Sequence, residues 1–464
     1  MAALVSNFGV QGLRFFTMTL LARRLGLHLF GVYNYLLLLL TYGFIVVEFG
    51  LKNLGIREIA QGRGSPKLIK QIFKIRLGFA TVSTIVIVLL TGLAFPGGDL
   101  EWPSFFMGAS LFIDALLLDY VLIAHEALVP QGLGNLGQAG FLFGACYFFV
   151  GGSQNFTSLT QFFFLSHIVW ILILAVAARP YLQKTNSSAD AHRNASHGNR
   201  SWKTALMGSP FMISTLIAGI LTSMDLLLLG QFHYDNWLGP YSAAMKILGL
   251  AMGLINSLLA SIQPKLAKQS ASLRSAETES LISSTTRFLW LFVAPTVAGC
   301  WLFGDQLVLW VFGSNFEKAG PLLKPLSLSF AFLTLSMAPF HLISVSHHTR
   351  QLLKIVIFNC LFSLLAVGGV LVLDKPQWVP WAMVLVEFCF LLSVWKWYGI
   401  WKVATPEDFK FLLIPMILLI IPLVIPNLGA APRFLEAAVG YGAGLFMMKV
   451  WKQTWFKEVF GKGV

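Results

Sequence analysis

Runs of roughly twenty apolar residues follow one another from end to end of this chain, each long enough for a helix to cross a hydrocarbon core of about 30 Å. Hydrocarbon gives a backbone N–H or C=O nothing to bond to, so such segments have to satisfy themselves as helices or in a closed barrel. Their length points to helices. Charged residues make up 11% of the 464 positions and hydrophobic ones 56%, whereas an average soluble domain is about 25% charged. A chain of this composition could not clothe a water-facing surface, and the expected fold class is an all-α, polytopic membrane protein without a soluble domain.

Apolar runs bounded by charge and turn residues predict about fourteen transmembrane helices. In the first half they fall at Leu4–Leu21, Phe30–Phe49, Leu77–Phe95, Ser104–Ile123, Gly137–Gly151, Leu159–Ala177 and Met207–Leu229. In the second half they fall at Tyr241–Ile262, Phe288–Phe312, Leu322–Ile343, Leu353–Leu373, Val379–Tyr398, Phe411–Ile425 and Leu435–Met448. With a cytoplasmic N-terminus, the external loops hold only Arg23, Arg24, Lys318, Lys324, Lys375 and Arg433 of the 33 Lys and Arg residues. Orientation follows that bias, which places both termini in the cytoplasm. The same rule accounts for the net charge of +13, so no nucleic-acid partner is expected. The first apolar stretch lacks a basic leader and a small-residue cleavage site, and is expected to be a span rather than a signal peptide.

The longest polar interruption, Arg179 to Lys203, is rich in Ser, Asn, His and Gly and reads as a cytoplasmic linker. It divides the chain into a six-helix lobe over residues 1–178, the linker at 179–203, a second six-helix lobe over 204–400, and two further helices with a tail over 401–464. Residues Leu51 to Arg76 alternate Ile56, Ile59, Ile69, Ile72 and Phe73 with Arg57, Arg63, Lys67, Lys70 and Lys74, a pattern expected of helices lying on anionic lipid. The tail around Trp451, Trp455 and Phe456 has the same character. A weak internal repeat aligns Gly26, Gly31 and Tyr33 with Gly230, Gly239 and Tyr241. Both copies follow an outward helix, so the repeat is parallel, with a pseudo-twofold axis along the membrane normal.

Charged residues inside spans are costly and tend to face a cavity, which makes them the candidate site residues. Arg14 shares a helical face with Asn7, Gln11 and Met18, and its guanidinium fork suits phosphate or sugar hydroxyls. Lys246 lies in a stripe with Ser242, Gly249, Gly253, Asn256 and Ala260. Arg14, Lys246, Gln11 and Asn256 are the expected substrate-binding residues; the structural alternatives are an internal ion pair for Arg14 and a pair with Asp225 for Lys246. Asp225, which shares a face with Ser214 and Ala218, Asp114 and Glu48 are the expected ion-coupling carboxylates, sensing H⁺ or Na⁺. Asp119, Glu387 and the single histidines His125, His167 and His341 read as structural. Cys146, Cys300, Cys360 and Cys389 lie in apolar segments without CxxC spacing, so neither a disulfide nor a metal site is expected. No P-loop, HExxH or nucleophile elbow is present, which excludes the familiar enzyme classes that carry them.

Three stretches resemble the polysaccharide and O-antigen flippase family of the multidrug, oligosaccharidyl-lipid and polysaccharide exporter superfamily. They are LARRLGLHLFGVYNY with the following EFGLKNLGIREIAQ, then SMDLLLLGQFHYDNWLGPYSAAMKI, then LFGDQLVLWVFGSNFEKAGPLLKPLSLSF. The resemblance implies two lobes alternately opening a central cavity to either side of a bacterial cytoplasmic membrane. It implies a polyprenyl diphosphate-linked oligosaccharide as substrate, no organic cofactor, and a polysaccharide polymerase and assembly proteins as partners. Within the superfamily the rival reading is a multidrug and toxin antiporter, for which Arg14 and Lys246 have the wrong sign. A membrane polysaccharide polymerase or ligase is the enzymatic rival, and the short external loops argue against it.

Overall fold

The computed structural model describes residues 2–61, 65–125, 127–191, 219, 223–269, 276–345, 349–398 and 441. The described residues are helices and short connections, and nine of the helices are long and apolar enough to cross a membrane. The chain divides into two compact units, Met1–Gly239 and Pro240–Val464. The first contains α1 (Ala2–Glu48), α2 (Leu51–Ala60), α3 (Pro66–Ala94), α4 (Glu101–Ala115), α5 (Asp119–Ala124), α6 (Leu128–Phe149), α7 (Phe156–Ala191) and α8 (Met224–Gln231). α9 (Asp235–Gln269) begins in the first unit and continues into the second, followed by α10 (Ala276–Phe312), α11 (Ala319–Val345), α12 (Thr349–Val372) and α13 (Val379–Tyr398).

α1 is 47 residues long, and at 1.5 Å per residue a straight helix of that length would measure about 70 Å, over twice the hydrocarbon thickness. It is not straight. Gly26 interrupts it at φ 76° and ψ 179°, a conformation open to glycine because it has no Cβ. The neighbours show that the chain reverses there. The first half of α1 runs alongside α6 in the same direction, Gly9 meeting Leu136 and Arg24 meeting the last carbonyls of α6. α7 is antiparallel to α6, with Gly134 against Leu174 and Phe149 against Phe162. α4 follows α7, with Phe106 beside Phe164 and Leu117 beside Leu174 and Ala178. α3 opposes α4 across a short connection, and Thr84 Oγ1 donates to Gly108 O at 2.9 Å. The second half of α1 opposes α3, pairing Tyr35 with Phe95, Gly43 with Ile87 and Phe49 with Phe79. The two halves of α1 are therefore antiparallel, as the two separate spans expected from the sequence require.

Helix ends need partners for their last carbonyls, and Arg24 supplies them for α6. Its Nη1 donates to the carbonyls of Cys146, Tyr147 and Val150 at 2.7–2.9 Å, with the guanidinium over the Tyr147 ring. At the same end, the two copies of the internal repeat pack on one another. Gly31 approaches the Gly239 backbone nitrogen so closely that a Cβ there would lie 2.7 Å from it, and Gly239 abuts Leu27 O. Gln231 Nε2 donates to Tyr35 Oη at 2.6 Å, and His28 faces Asp235 at 3.6 Å. These contacts tie α8 and the start of α9 to the first unit.

In the second unit, α10 and α11 turn at Gly313 (φ 93°) and close on the contact of Gly320 with Asp305, which also pairs with Lys324 at 3.5 Å. α13 lies along α11 through Phe332–Phe388 and Phe340–Phe390, while Ile343, Leu352, Phe390 and Val394 form a small core. α13 coincides with the expected Val379–Tyr398. The expected span Ser104–Ile123 is instead broken between Ala115 and Asp119 into α4 and α5, and α7 carries on through Arg179 to Ala191 into the polar stretch read as a linker. The two spans expected after residue 400 lie outside the described residues, apart from Tyr441, whose Oη donates to Leu291 O.

The segment read as surface-associated behaves differently. α2 buries Leu51, Leu54 and Ile59 against Ile72, Tyr120 and Val121, and residues from Pro66 onward are the first turns of the membrane helix α3, capped by Ser65. Its apolar stripe faces protein because Gly55 lets Tyr120 close on it. The repeat contact is testable: Gly239→Ala sets a Cβ against backbone that cannot yield and should cost about 1–3 kcal/mol. Gly140→Ala, at an open site, should stay within about 0.5 kcal/mol. Denaturant unfolding in detergent measures both.

Candidate functional site

Polar groups in the first unit gather at two depths. At the end away from Gly26, the break after α4 starts α5 at Asp119, so that its carboxylate turns toward α2. Lys52 Nζ sits 2.7 Å from Asp119 Oδ2 and 3.5 Å from Glu48 Oε1, while Asp119 Oδ1 accepts the Tyr120 N–H. Arg76 projects from α3 into the same region. It is buried, its guanidinium 5.6 Å from the centroid of the buried Tyr120 ring, and among the described residues its Nε and Nη1 make no hydrogen bond. Burial alone would pull the Lys52 ammonium down, but Asp119 and Glu48 outweigh it and hold it above the usual lysine range.

Deeper in the unit, α4, α6 and α7 bring together Asp114, Gln138 and His167. His167 Nε2 lies 3.1 Å from Gln138 Nε2 and 3.9 Å from Asp114 Oδ1, and all three side chains are buried. The first half of α1 carries Arg14, exposed, with half-buried Gln11 one turn before it. Among the described residues Arg14 has no ion-pair or hydrogen-bond partner; its guanidinium acts electrostatically on Tyr33 and His167.

The remaining expected site residues fall as follows. Asp225 is buried in the first turn of α8, with Oδ1 accepting the Leu226 N–H at 2.7 Å; Ser214 and Ala218, assigned to its face, lie outside the described residues. On α9, Lys246 is half-buried and Gly249 and Asn256 are exposed. Glu387, read as structural, is buried within the second unit. His125 lies beside Tyr181, and the side chain of His341 is outside the description.

The structure thus joins Glu48 to Lys52 and Asp114 to His167, neither of which the sequence reading paired. Lys52 had a local signal, since Glu48 and Lys52 stand four apart on either side of a Gly-containing turn. Gln138, His167 and Arg76 had none, because their partners come from distant helices.

With this geometry in hand, the comparisons with known proteins acquire meaning. A family model described as polysaccharide biosynthesis protein matches residues 1–269. The probable low-salt glycan biosynthesis flippase Agl15 of Haloferax volcanii is 22% identical over 68% of this chain, which spans 65% of that relative's length. The fold is that of the lipid II flippase MurJ in an inward closed conformation, with a TM-score of 0.73, 13% identity, and 97% of this chain and 99% of that one covered. A multidrug resistance MATE family transporter of the MOP superfamily, in an inward-facing conformation, follows at TM-score 0.63 and 13% identity, covering 86% of this chain and 96% of its own. The chain is a multi-pass membrane protein with that all-helical transporter fold.

A raised pKa in the folded state means that the Lys52 contribution is complete below the unfolded lysine value and fades as pH rises through the folded one. The unfolding midpoint should therefore fall at alkaline pH, above the ordinary lysine range. Lys52→Met should remove that alkaline component and cost about 1.5–3 kcal/mol, the scale of charge-assisted hydrogen bonds. Thermal unfolding in detergent across the alkaline range measures it.

Proposed function

Because the chain belongs to the polysaccharide biosynthesis protein family, we propose that it is a flippase for a polyprenyl diphosphate-linked oligosaccharide. It carries this substrate from the cytoplasmic to the outer leaflet of a bacterial cytoplasmic membrane, for a cell-surface polysaccharide of the O-antigen type. Both termini are cytoplasmic, transport proceeds by alternating access, and a polysaccharide polymerase and assembly proteins receive the product. The chain's likeness to Agl15 and the MurJ fold support this reading at the level of class.

The observation that carries the substrate assignment is Arg14. A charged side chain within a membrane span is expensive unless it meets water, a counter-charge or a ligand. Arg14 is exposed on α1 and, among the described residues, has no carboxylate to neutralise it. A diphosphate is the matching group: an anion that must cross hydrocarbon depth, with oxygens spaced for a guanidinium fork. Gln11, one turn away, is placed to add a hydrogen bond. In the second unit Lys246 and Asn256 supply a second cation and an amide on one helix. Asp225 and Asp114 serve coupling to H⁺ or Na⁺, while Glu48 is engaged with Lys52.

The multidrug antiporter reading has the MATE fold in its favour. An organic cation, however, would call for an accessible carboxylate, and here Asp114 and Asp225 are buried while Arg14 is exposed.

Charge reversal tests the assignment. Arg14→Glu and Lys246→Glu should each slow flipping by at least about a hundredfold, the factor for roughly 3 kcal/mol, with membrane insertion intact. Arg14→Lys should keep part of the activity. The measurement is accumulation of lipid-linked glycan on the cytoplasmic leaflet of cells in which the variant replaces the native protein. Full complementation by a well-expressed Glu variant would remove that residue from the substrate path.

A further inference from the structure

We propose that Asp114, His167 and Gln138 form a proton-binding site inside the first unit, in which one proton rests on the Asp114 carboxylate or on His167 Nε2. The hydrogen-bond geometry sets which atoms are open. His167 Nδ1 is 2.9 Å from Phe163 O, a carbonyl that can only accept, so Nδ1 carries hydrogen and Nε2 presents its lone pair. Gln138 Nε2, at 3.1 Å, donates to that lone pair. Asp114 Oδ1 is 3.9 Å from the same nitrogen and makes no hydrogen bond among the described residues. Asp114, His167 and Gln138 are 6%, 5% and 8% exposed, and Phe163 and Trp170 flank the imidazole with ring centroids 4.7 and 6.1 Å away. Ser110, one turn before Asp114, is turned away and donates to Met107 O. An ionised carboxylate whose buried Oδ1 has no hydrogen bond among the described residues, set 3.9 Å from an imidazole, is relieved by gaining a proton.

Asp119, Arg76 and Glu48 act on Asp114 through space, and Arg14 acts on His167. α2 contributes Lys52, which is shared by Asp119 and Glu48, and α5 adds the Tyr120 ring under Arg76. Lys52 is thus committed to the other two carboxylates, and the buried Arg76 makes no hydrogen bond through Nε and Nη1 among the described residues, so both cations act on Asp114 only at a distance.

The step is simple in its balance. A proton from hydronium, whose O–H bond breaks to leave water, forms an O–H bond on Asp114 or an N–H bond on His167, and no bond within the protein breaks. When Nε2 carries the proton, Gln138 turns its amide so that Oε1 accepts. A metal cation fits less well, since hard ions seek several oxygen ligands and this cluster offers an imidazole and one carboxylate. Use of the proton to drive transport rests on the flippase reading; the site itself does not.

The full chain in lipid nanodiscs, without substrate, tests the site by infrared difference spectroscopy during a pH titration. A protonated-carboxyl C=O band is expected in the native protein. It should vanish in Asp114→Asn, persist at a shifted frequency in Asp114→Glu, and titrate at a displaced midpoint in His167→Gln. A native-like band in a folded Asp114→Asn variant overturns the proposal, as does a band unmoved by His167→Gln or displaced by Na⁺ at fixed pH. If Asp114→Asn does not fold, the Glu and Gln variants decide by the same criteria. In proteoliposomes carrying lipid-linked oligosaccharide, acid on the outer side should speed flipping about tenfold in the native chain and under about twofold in Asp114→Asn, a typical coupling range. An intact titration without any flipping would retain the proton site and refute the flippase reading.

Discussion

Hydrocarbon supplies no hydrogen bonds, so a polar group inside the first unit gains by finding a partner within the protein, and the positions of such partners organise the fold. Arg24 is the plainest instance. One nitrogen collects three carbonyls from the end of α6, and in doing so pins the chain just before it reverses at Gly26. At the opposite end Lys52 gathers Glu48 from α1 and Asp119 from α5. A carboxylate at Asp119 can be tolerated there only because the helix breaks after Ala115 and restarts with that side chain directed at the ammonium. Ionic contacts thus close both ends of the bundle.

The helix contacts in its middle rest on small residues. Water-driven burial does not operate between helices in lipid, so close backbone approach has to supply the packing. Gly43 admits Leu111 and Ile87, Gly108 admits Thr84, and Gly31 meets Gly239. The last of these joins the two copies of the repeat and explains why the motif is written with glycine in both. It also holds the start of α9 within the first compact unit, which runs to Gly239.

Much of this was legible because it is local. Apolar run length marked the helices, with α13 matching to the residue, and Arg14 and Lys246 announced themselves as cations in apolar surroundings. The stretch Leu51–Arg76 was misread for a physical reason: interleaved Ile and Lys look alike on a lipid surface and on a protein surface, and only Tyr120, far along the chain, distinguishes them. His167 read as structural because a lone histidine carries no information until Asp114 and Gln138 arrive from other helices. The helix α7 likewise ran on into a polar stretch, since Ser, Asn and Asp lower helix propensity without forbidding it and the Ala residues among them favour it.

The cations of the first unit differ in what encloses them, and that difference bears on specificity. Arg24 is committed to backbone carbonyls, Lys52 to two carboxylates, and Arg76 is sealed over Tyr120. Each has its charge answered, or its access closed, by the fold. Arg14 alone among these four stands exposed at span depth with no counter-charge from the described residues. A protein selecting organic cations would gain nothing from such a group and would be repelled from its own substrate by it. One selecting an anion gains charge compensation at the depth where an unpaired diphosphate is most costly. On the proposed reading, engaging Arg14 with that anion would offset its field at His167, so substrate charge and proton occupancy of the Asp114–His167 pair would be linked, equally in both directions.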